Sequence, residues 1–205
     1  ASPSLGQAMR RVLLSPGAKP AGADASLGGK KLLALARAGF IDEARTIATV
    51  ATSGRGNLEV AEAEATLSLL NGETDGACRR GASLSGGREA LFWVRLRAFC
   101  YARAGELDAF DLTVNLLRER GALAPADEAL FFSLLSKTPP KAMPPIETAL
   151  QYAAYKAAGF EITPPLIASA EGGVLAAIAA DGAAAPALRI EAAQQALAMG
   201  VIGPA

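Results

Sequence analysis

The 205-residue chain contains no histidine, only two cysteines and few aromatic residues. Without histidine it lacks the side chain that most often serves as a general base and as a metal ligand near neutral pH. Two cysteines alone do not make a zinc site, because structural zinc normally takes four cysteine or histidine ligands. We therefore expect no metal, no cofactor and no enzymatic activity within these residues.

The chain also lacks an excess of either charge. Its 20 basic and 20 acidic residues cancel, and neither sign is gathered into a block. A protein that binds nucleic acid usually has a basic excess or stripe, so we expect no nucleic-acid partner. The most apolar stretch, Val174 to Leu188, is interrupted by Asp181, Gly182 and Pro186. We therefore expect no membrane span.

Alanine, in contrast, is abundant. It provides 47 of the 205 residues, and it has the highest helix propensity of all residues. The β-branched and aromatic residues that favour strands are few. The composition therefore predicts an all-α protein.

Three segments of the chain align on a glycine. They are Leu33-Ala-Leu-Ala-Arg-Ala-Gly39, Thr66-Leu-Ser-Leu-Leu-Asn-Gly72 and Phe99-Cys-Tyr-Ala-Arg-Ala-Gly105, and the glycines are 33 residues apart both times. Each glycine stands where a helix needs a left-handed cap residue, and an aspartate follows three residues later, near the start of the next helix. This fixed period predicts stacked antiparallel helical hairpins.

Hydrophobic periodicity distinguishes two kinds of helix in the third hairpin. Between Leu107 and Arg120 the large apolar side chains follow one stripe, which is typical of an outer helix with one buried face. The segment from Arg88 to Ala104 is apolar around most of its circumference. We expect it to be an inner helix that is covered on two sides.

The repeat resembles the tetratricopeptide pattern, most clearly over residues 24–121. Ala-Arg-Ala-Gly39 is followed by an acidic turn and the small Ala44, and the third unit also carries the family's tyrosine, Tyr101. The chain departs from the pattern in its period of 33 rather than 34, in Phe110 and in the absence of a closing proline. The resemblance implies a right-handed α-solenoid with a concave surface that binds a peptide or protein.

Prolines divide the second half of the chain. We assign residues 1–136 to the helical repeat region. Residues 137–145, Lys-Thr-Pro-Pro-Lys-Ala-Met-Pro-Pro, form a stiff connector because these prolines cannot lie inside a helix. Residues 146–205 carry further short helices of the same or an adjoining helical domain, including a weaker echo of the repeat at Tyr155-Lys-Ala-Ala-Gly159.

Cys78 and Cys100 fall on helices that are neighbours in a stack, so their thiols can meet. The sequence leaves two alternatives open, a disulfide or two independent buried thiols, which alanine-rich helices accommodate. A disulfide would indicate an oxidising compartment such as a bacterial periplasm. We expect a periplasmic or exported protein, with the cytoplasm as the alternative.

The resemblance also implies which residues line the binding groove. In the first helices these positions fall two, three, six and ten residues before each glycine, and here they supply Arg37, Glu62, Arg95, Arg103 and Lys156. Arginine pairs bidentately with carboxylates, including the C-terminus of a peptide. The alternative is that these residues lie on a solvated surface or pair with nearby glutamates.

The function that these observations predict is a non-catalytic interaction scaffold for a protein or peptide. The alternative is a helical accessory domain of a larger periplasmic enzyme, such as the solenoid that precedes the catalytic part of some cell-wall lyases. The first residue is Ala1 rather than methionine, and Ala-Leu-Ala-Met-Gly200 resembles a helix end. We therefore expect a processed chain whose natural form continues beyond Ala205.

Overall fold

A computed structural model describes residues 3–15, 26–51 and 57–202 of the chain. Within these ranges it contains helices and no strand, which confirms the predicted all-α class. Residues 24 and 25, where the predicted repeats begin, and both chain ends, Ala1 and Ala205, lie outside the described residues.

The described residues form eleven α-helices and one short 3-10 helix, which covers Pro164–Ile167. The α-helices are α1 (Pro3–Leu14), α2 (Leu27–Ala38), α3 (Ile41–Ala51), α4 (Leu58–Leu70), α5 (Thr74–Ala82), α6 (Leu91–Ala104), α7 (Leu107–Glu119), α8 (Pro125–Ser136), α9 (Ala149–Ala158), α10 (Gly172–Ala180) and α11 (Pro186–Ala198). They belong to two compact units. The first unit comprises Ala1–Leu67 and Ala170–Ala205, and the second comprises Ser68–Ser169.

The repeated glycines end their helices as predicted. Gly39, Gly72 and Gly105 have φ values of 100°, 75° and 73°, a left-handed conformation that costs other residues about 1–2 kcal/mol. After α2, the N–H of Gly39 donates to Ala36 O and the N–H of Phe40 donates to Leu35 O. These bonds satisfy carbonyls that the helix end leaves open.

In the first unit, the core joins α2, α3 and α4. Its buried apolar side chains include Leu32, Leu35, Phe40, Ala44, Ala63 and Leu67. In the same unit, α10 packs against α2, and α11 packs against α10. In a linear repeat array each unit contacts only its sequence neighbours. The contact between α10 and α2 is therefore an addition to the predicted hairpin pattern.

In the second unit, α6 is the inner helix that the sequence predicts. It packs against α5, α7 and α8, and its buried residues are Trp93, Val94, Leu96, Ala98, Phe99 and Ala102. The outer helix α7 buries Phe110, Val114 and Leu117 on one stripe, while Leu107 in its first turn is exposed.

The proline-rich segment 137–145 is non-helical, as predicted, but the two units do not divide there. It lies within the second unit, where Pro144 is buried and its carbonyl oxygen accepts a 2.5 Å hydrogen bond from the hydroxyl of Tyr155. Burial of Tyr155 raises the pKa of its hydroxyl. The prolines interrupt the helix without separating the segment from the core.

Two adjacent glycines at the start of α2 provide a test of the packing between α2 and α4. A Cβ on Gly29 would lie 2.6 Å from Glu59 Cβ and 2.8 Å from Val60 N, whereas a Cβ on Gly28 would meet nothing within 4 Å. We expect Gly29→Ala to lower the free energy of unfolding by about 1–2 kcal/mol through overpacking. The matched control Gly28→Ala is expected to raise it by about 0.5 kcal/mol through helix propensity. Urea denaturation measures both changes, and equal effects would contradict the close approach of the two helices.

Candidate functional site

Two of the predicted groove residues, Arg37 on α2 and Glu62 on α4, pair with each other in the first unit. Arg37 Nη2 lies 3.0 Å from Glu62 Oε1. Partial burial raises the pKa of Glu62 above its usual 4.5, and Glu59 adds to the rise, while the positive charge of Arg37 opposes it. Each side chain of the pair thus neutralises the charge of the other across the interface between α2 and α4.

The raised pKa of Glu62 predicts a pH dependence of stability. Between its unfolded and folded pKa values the folded protein holds the proton more tightly, so stability falls as the pH rises through that window. Glu62→Gln removes the proton site, so we expect the variant to match the parent near pH 4 and to exceed it in stability at pH 7. Urea denaturation at both pH values measures this. The surface variant Glu119→Gln serves as the control. Its stability should fall between pH 4 and pH 7 as that of the parent does.

Arg95 is bonded to neighbouring segments of the second unit. Its Nε and Nη2 donate to the carbonyl oxygen of Ala122 at 3.2 and 2.7 Å, and its Nε lies 3.8 Å from Asp127 Oδ2. Asp127 is only 7% exposed, and Gln151 donates to its other oxygen at 2.7 Å. Gln151 also completes the capping box of α9 with Thr148. These bonds connect α6, α8 and α9, and they leave the side chain of Arg95 32% exposed.

Arg103 lines a cleft of about 460 Å³ in the second unit. The cleft lies where α4 ends, α5 begins and α6 ends, and its lining residues are Gly72, Glu73, Thr74, Asp75, Gly76, Arg79 and Arg103. The left-handed Gly72 turns the chain from α4 into α5. We call this site the α5–α6 cleft.

A disulfide joins the two helices that form the α5–α6 cleft. It connects Cys78 on α5 with Cys100 on α6, with their Cα atoms 5.8 Å apart. Cys78 directly precedes Arg79, and Cys100 stands one turn before Arg103. The cross-link therefore holds together the helix segments that carry the two arginines, and of the two alternatives that the sequence leaves open the structure contains the disulfide.

The charges in the α5–α6 cleft are mixed. Arg103 forms an ion pair with Asp75, and both side chains are well exposed to solvent. Within the described part of the chain, the guanidinium of Arg79 has no hydrogen-bond or ion-pair partner. A guanidinium of this kind can take a carboxylate or another anion without first breaking an internal bond.

The five predicted groove residues are divided between the two units. Arg37 and Glu62 belong to the first unit, and Arg95, Arg103 and Lys156 belong to the second. Lys156 is exposed near the end of α9 and is not among the residues that line the α5–α6 cleft. Arg79 was not predicted, because the family register points only to the first helix of each hairpin and Arg79 lies on a second helix.

Among the described residues, no three acidic or sulfur side chains cluster closely enough to hold a metal ion. In the same ranges, no helix is both long enough and apolar enough to cross a membrane. No protein-family model matches the chain, and neither the curated proteins nor the solved structures include a significant match.

Proposed function

We propose that this chain is a non-catalytic interaction scaffold that binds a protein or peptide partner at the α5–α6 cleft. The observation that carries the proposal is that two arginines, Arg79 and Arg103, line a cleft between two helices that a disulfide joins. The disulfide holds together the helix segments that carry the two arginines, and guanidiniums suit a carboxylate of the partner. The ligand class is therefore a peptide with acidic side chains or a free C-terminus.

The pairing of Arg103 with Asp75 is compatible with such a ligand. Asp75 is 68% exposed in its side chain and Arg103 is 35% exposed, and ion pairs of this kind stabilise a protein by at most about 1 kcal/mol. Exchange of Asp75 for a carboxylate of the partner therefore costs little. Arg79 then supplies a second contact that is new on binding.

The proposal includes a tetratricopeptide-like, right-handed stacking of the hairpins. It is supported by the left-handed glycines that recur every 33 residues at helix ends and by the packing of α6 against α5, α7 and α8. In such arrays the first helices face a shared concave side, and Arg103 lies on one of them.

We also propose that the protein works in an oxidising compartment, such as a bacterial periplasm. The support is the disulfide between Cys78 and Cys100, because thiols of cytosolic proteins are kept reduced. The same observation favours the second candidate function, a helical accessory domain of a larger periplasmic cell-wall enzyme. If the same gene also encodes a catalytic domain, the second candidate function is the correct one.

The test is a selection of peptides from a random library that displays free C-termini, followed by affinity measurement by fluorescence anisotropy. We expect the selected peptides to carry carboxylates, and Arg79→Ala with Arg103→Ala to weaken binding by about tenfold or more, since each charge-assisted bond contributes about 1.5–3 kcal/mol. The matched control is Arg80→Ala, which removes the neighbouring arginine of α5 outside the cleft lining. Equal affinities in the double variant and the parent would refute the cleft as the binding site.

A further inference from the structure

Helix α5 has few buried residues that would hold it in place without its bonds to α6. Its nine residues, Thr-Asp-Gly-Ala-Cys-Arg-Arg-Gly-Ala, bury only Ala77 and Gly81. A helix this short is marginal in water without tertiary packing, and two glycines lower its helix propensity further. Its N-cap residue, Glu73, makes no side-chain capping bond. The position of α5 therefore depends on the bonds that tie it to α6.

The ion pair and the disulfide that connect α5 with α6 differ in strength. The ion pair between Asp75 and Arg103 is exposed to solvent, and pairs of this kind contribute little. The other is the covalent bond between Cys78 and Cys100. Both cysteines are half-buried rather than fully enclosed.

The surface that α5 covers includes Trp93, whose fluorescence can report whether α5 is docked. A Cβ built on Gly81 would lie 3.3 Å from Leu96 Cδ2 and 3.7 Å from Trp93 Cε3, so the backbone of α5 covers both side chains. Trp93 is 1% exposed and is the single tryptophan of the chain. Its fluorescence therefore responds to water that enters when α5 leaves α6.

We propose that the Cys78–Cys100 disulfide controls the docking of α5, so that the α5–α6 cleft exists in the oxidised protein and is lost on reduction. The reductant is a dithiol. One of its thiolates attacks a sulfur of the disulfide to form a mixed disulfide, and its second thiolate then displaces the remaining protein sulfur. The products are two protonated cysteines and the oxidised, disulfide form of the reductant. This inference concerns α5 and α6 alone and does not depend on the proposed partner.

The test is hydrogen–deuterium exchange and tryptophan fluorescence of the full chain before and after reduction with dithiothreitol, with two alkylated thiols per chain confirming complete reduction. We expect the amides of Ala77 to Ala82 to exchange at least about tenfold faster after reduction. We also expect Trp93 emission to shift to the red, while amides in the buried part of α6 keep their protection. Unchanged protection of α5 in the fully reduced protein would overturn the proposal.

Two variants distinguish release of α5 from general unfolding. Cys78→Ala with Cys100→Ala is expected to show the fast exchange in α5 without reductant and no response to dithiothreitol. Gly76→Ala adds helix propensity at a position where a Cβ has only ordinary contacts, 3.7 Å from Ser68 Oγ, and is expected to slow the exchange of α5 in the reduced protein. Loss of protection spread evenly over α5, α6 and α7 would mean that the disulfide holds the whole unit, which contradicts controlled docking. Because no peptide is used, the result is independent of the proposed binding function.

Discussion

Replacement of Arg95 by alanine is expected to lower the free energy of unfolding by about 2–3 kcal/mol, since it leaves a buried carboxylate without its cation. The carboxylate is that of Asp127, whose side chain is 10% exposed and lies 3.8 Å from Arg95 Nε. The carbonyl oxygen of Ala122 loses both of its guanidinium donors at the same time. Urea denaturation followed by circular dichroism measures the change.

The matched control is Arg103→Ala, on the same helix. Its ion pair with Asp75 is exposed, so the expected change is less than about 1 kcal/mol. Arg95→Met combined with Asp127→Asn removes both charges and is expected to recover part of the lost stability. Equal effects of Arg95→Ala and Arg103→Ala would contradict the structural role of Arg95.

Gly172→Ala is expected to destabilise the protein by about 3 kcal/mol, because the new methyl group would collide with backbone. Its Cβ would lie 2.2 Å from the carbonyl oxygen of Ala38, at the contact between α10 and α2. A side chain can rotate away from such a collision, but a backbone oxygen at a helix end cannot. Thermal and urea denaturation measure the loss.

Gly182→Ala is the matched control for this contact. A Cβ at Gly182 would meet nothing within 4 Å, so the expected change is within about 0.5 kcal/mol. A stable Gly172→Ala protein would show that α10 does not pack closely on α2.

The helix ends could be predicted because their cause is local. Gly39, Gly72 and Gly105 end their helices in left-handed backbone, a conformation that the residue type itself favours. The inner position of α6 was predictable for a similar reason, since the residues of one helix show whether its sides are apolar.

The close contacts between distant segments could not be predicted. Gly172 and Ala38 meet because α10 packs on α2, and alanine-rich helices carry little information about which partner they choose. The same holds for the bonding partners of Arg95, which its spacing in the repeat does not reveal. Only the arrangement of α6, α8 and α9 shows that a buried carboxylate, that of Asp127, lies beside it.

The α5–α6 cleft was partly predictable. The family register pointed to Arg103, which lines the cleft, and the hairpin pattern placed Cys78 and Cys100 on neighbouring helices, which the disulfide joins. Arg79 was missed because the register does not extend to second helices, although its position directly after Cys78 was a usable signal. A cross-link to α6 at Cys78 brings the next residue of α5 near the end of α6.

The central claim is that a peptide partner binds in the α5–α6 cleft. The most direct measurement is hydrogen–deuterium exchange of the oxidised protein, alone and saturated with the tightest peptide from the library selection. Binding in the cleft predicts slower exchange at residues 73–79 and at the end of α6 around Arg103, with the first unit unchanged. Protection that falls elsewhere, for example on α7 or on the first unit, with none at residues 73–79, would contradict the claim.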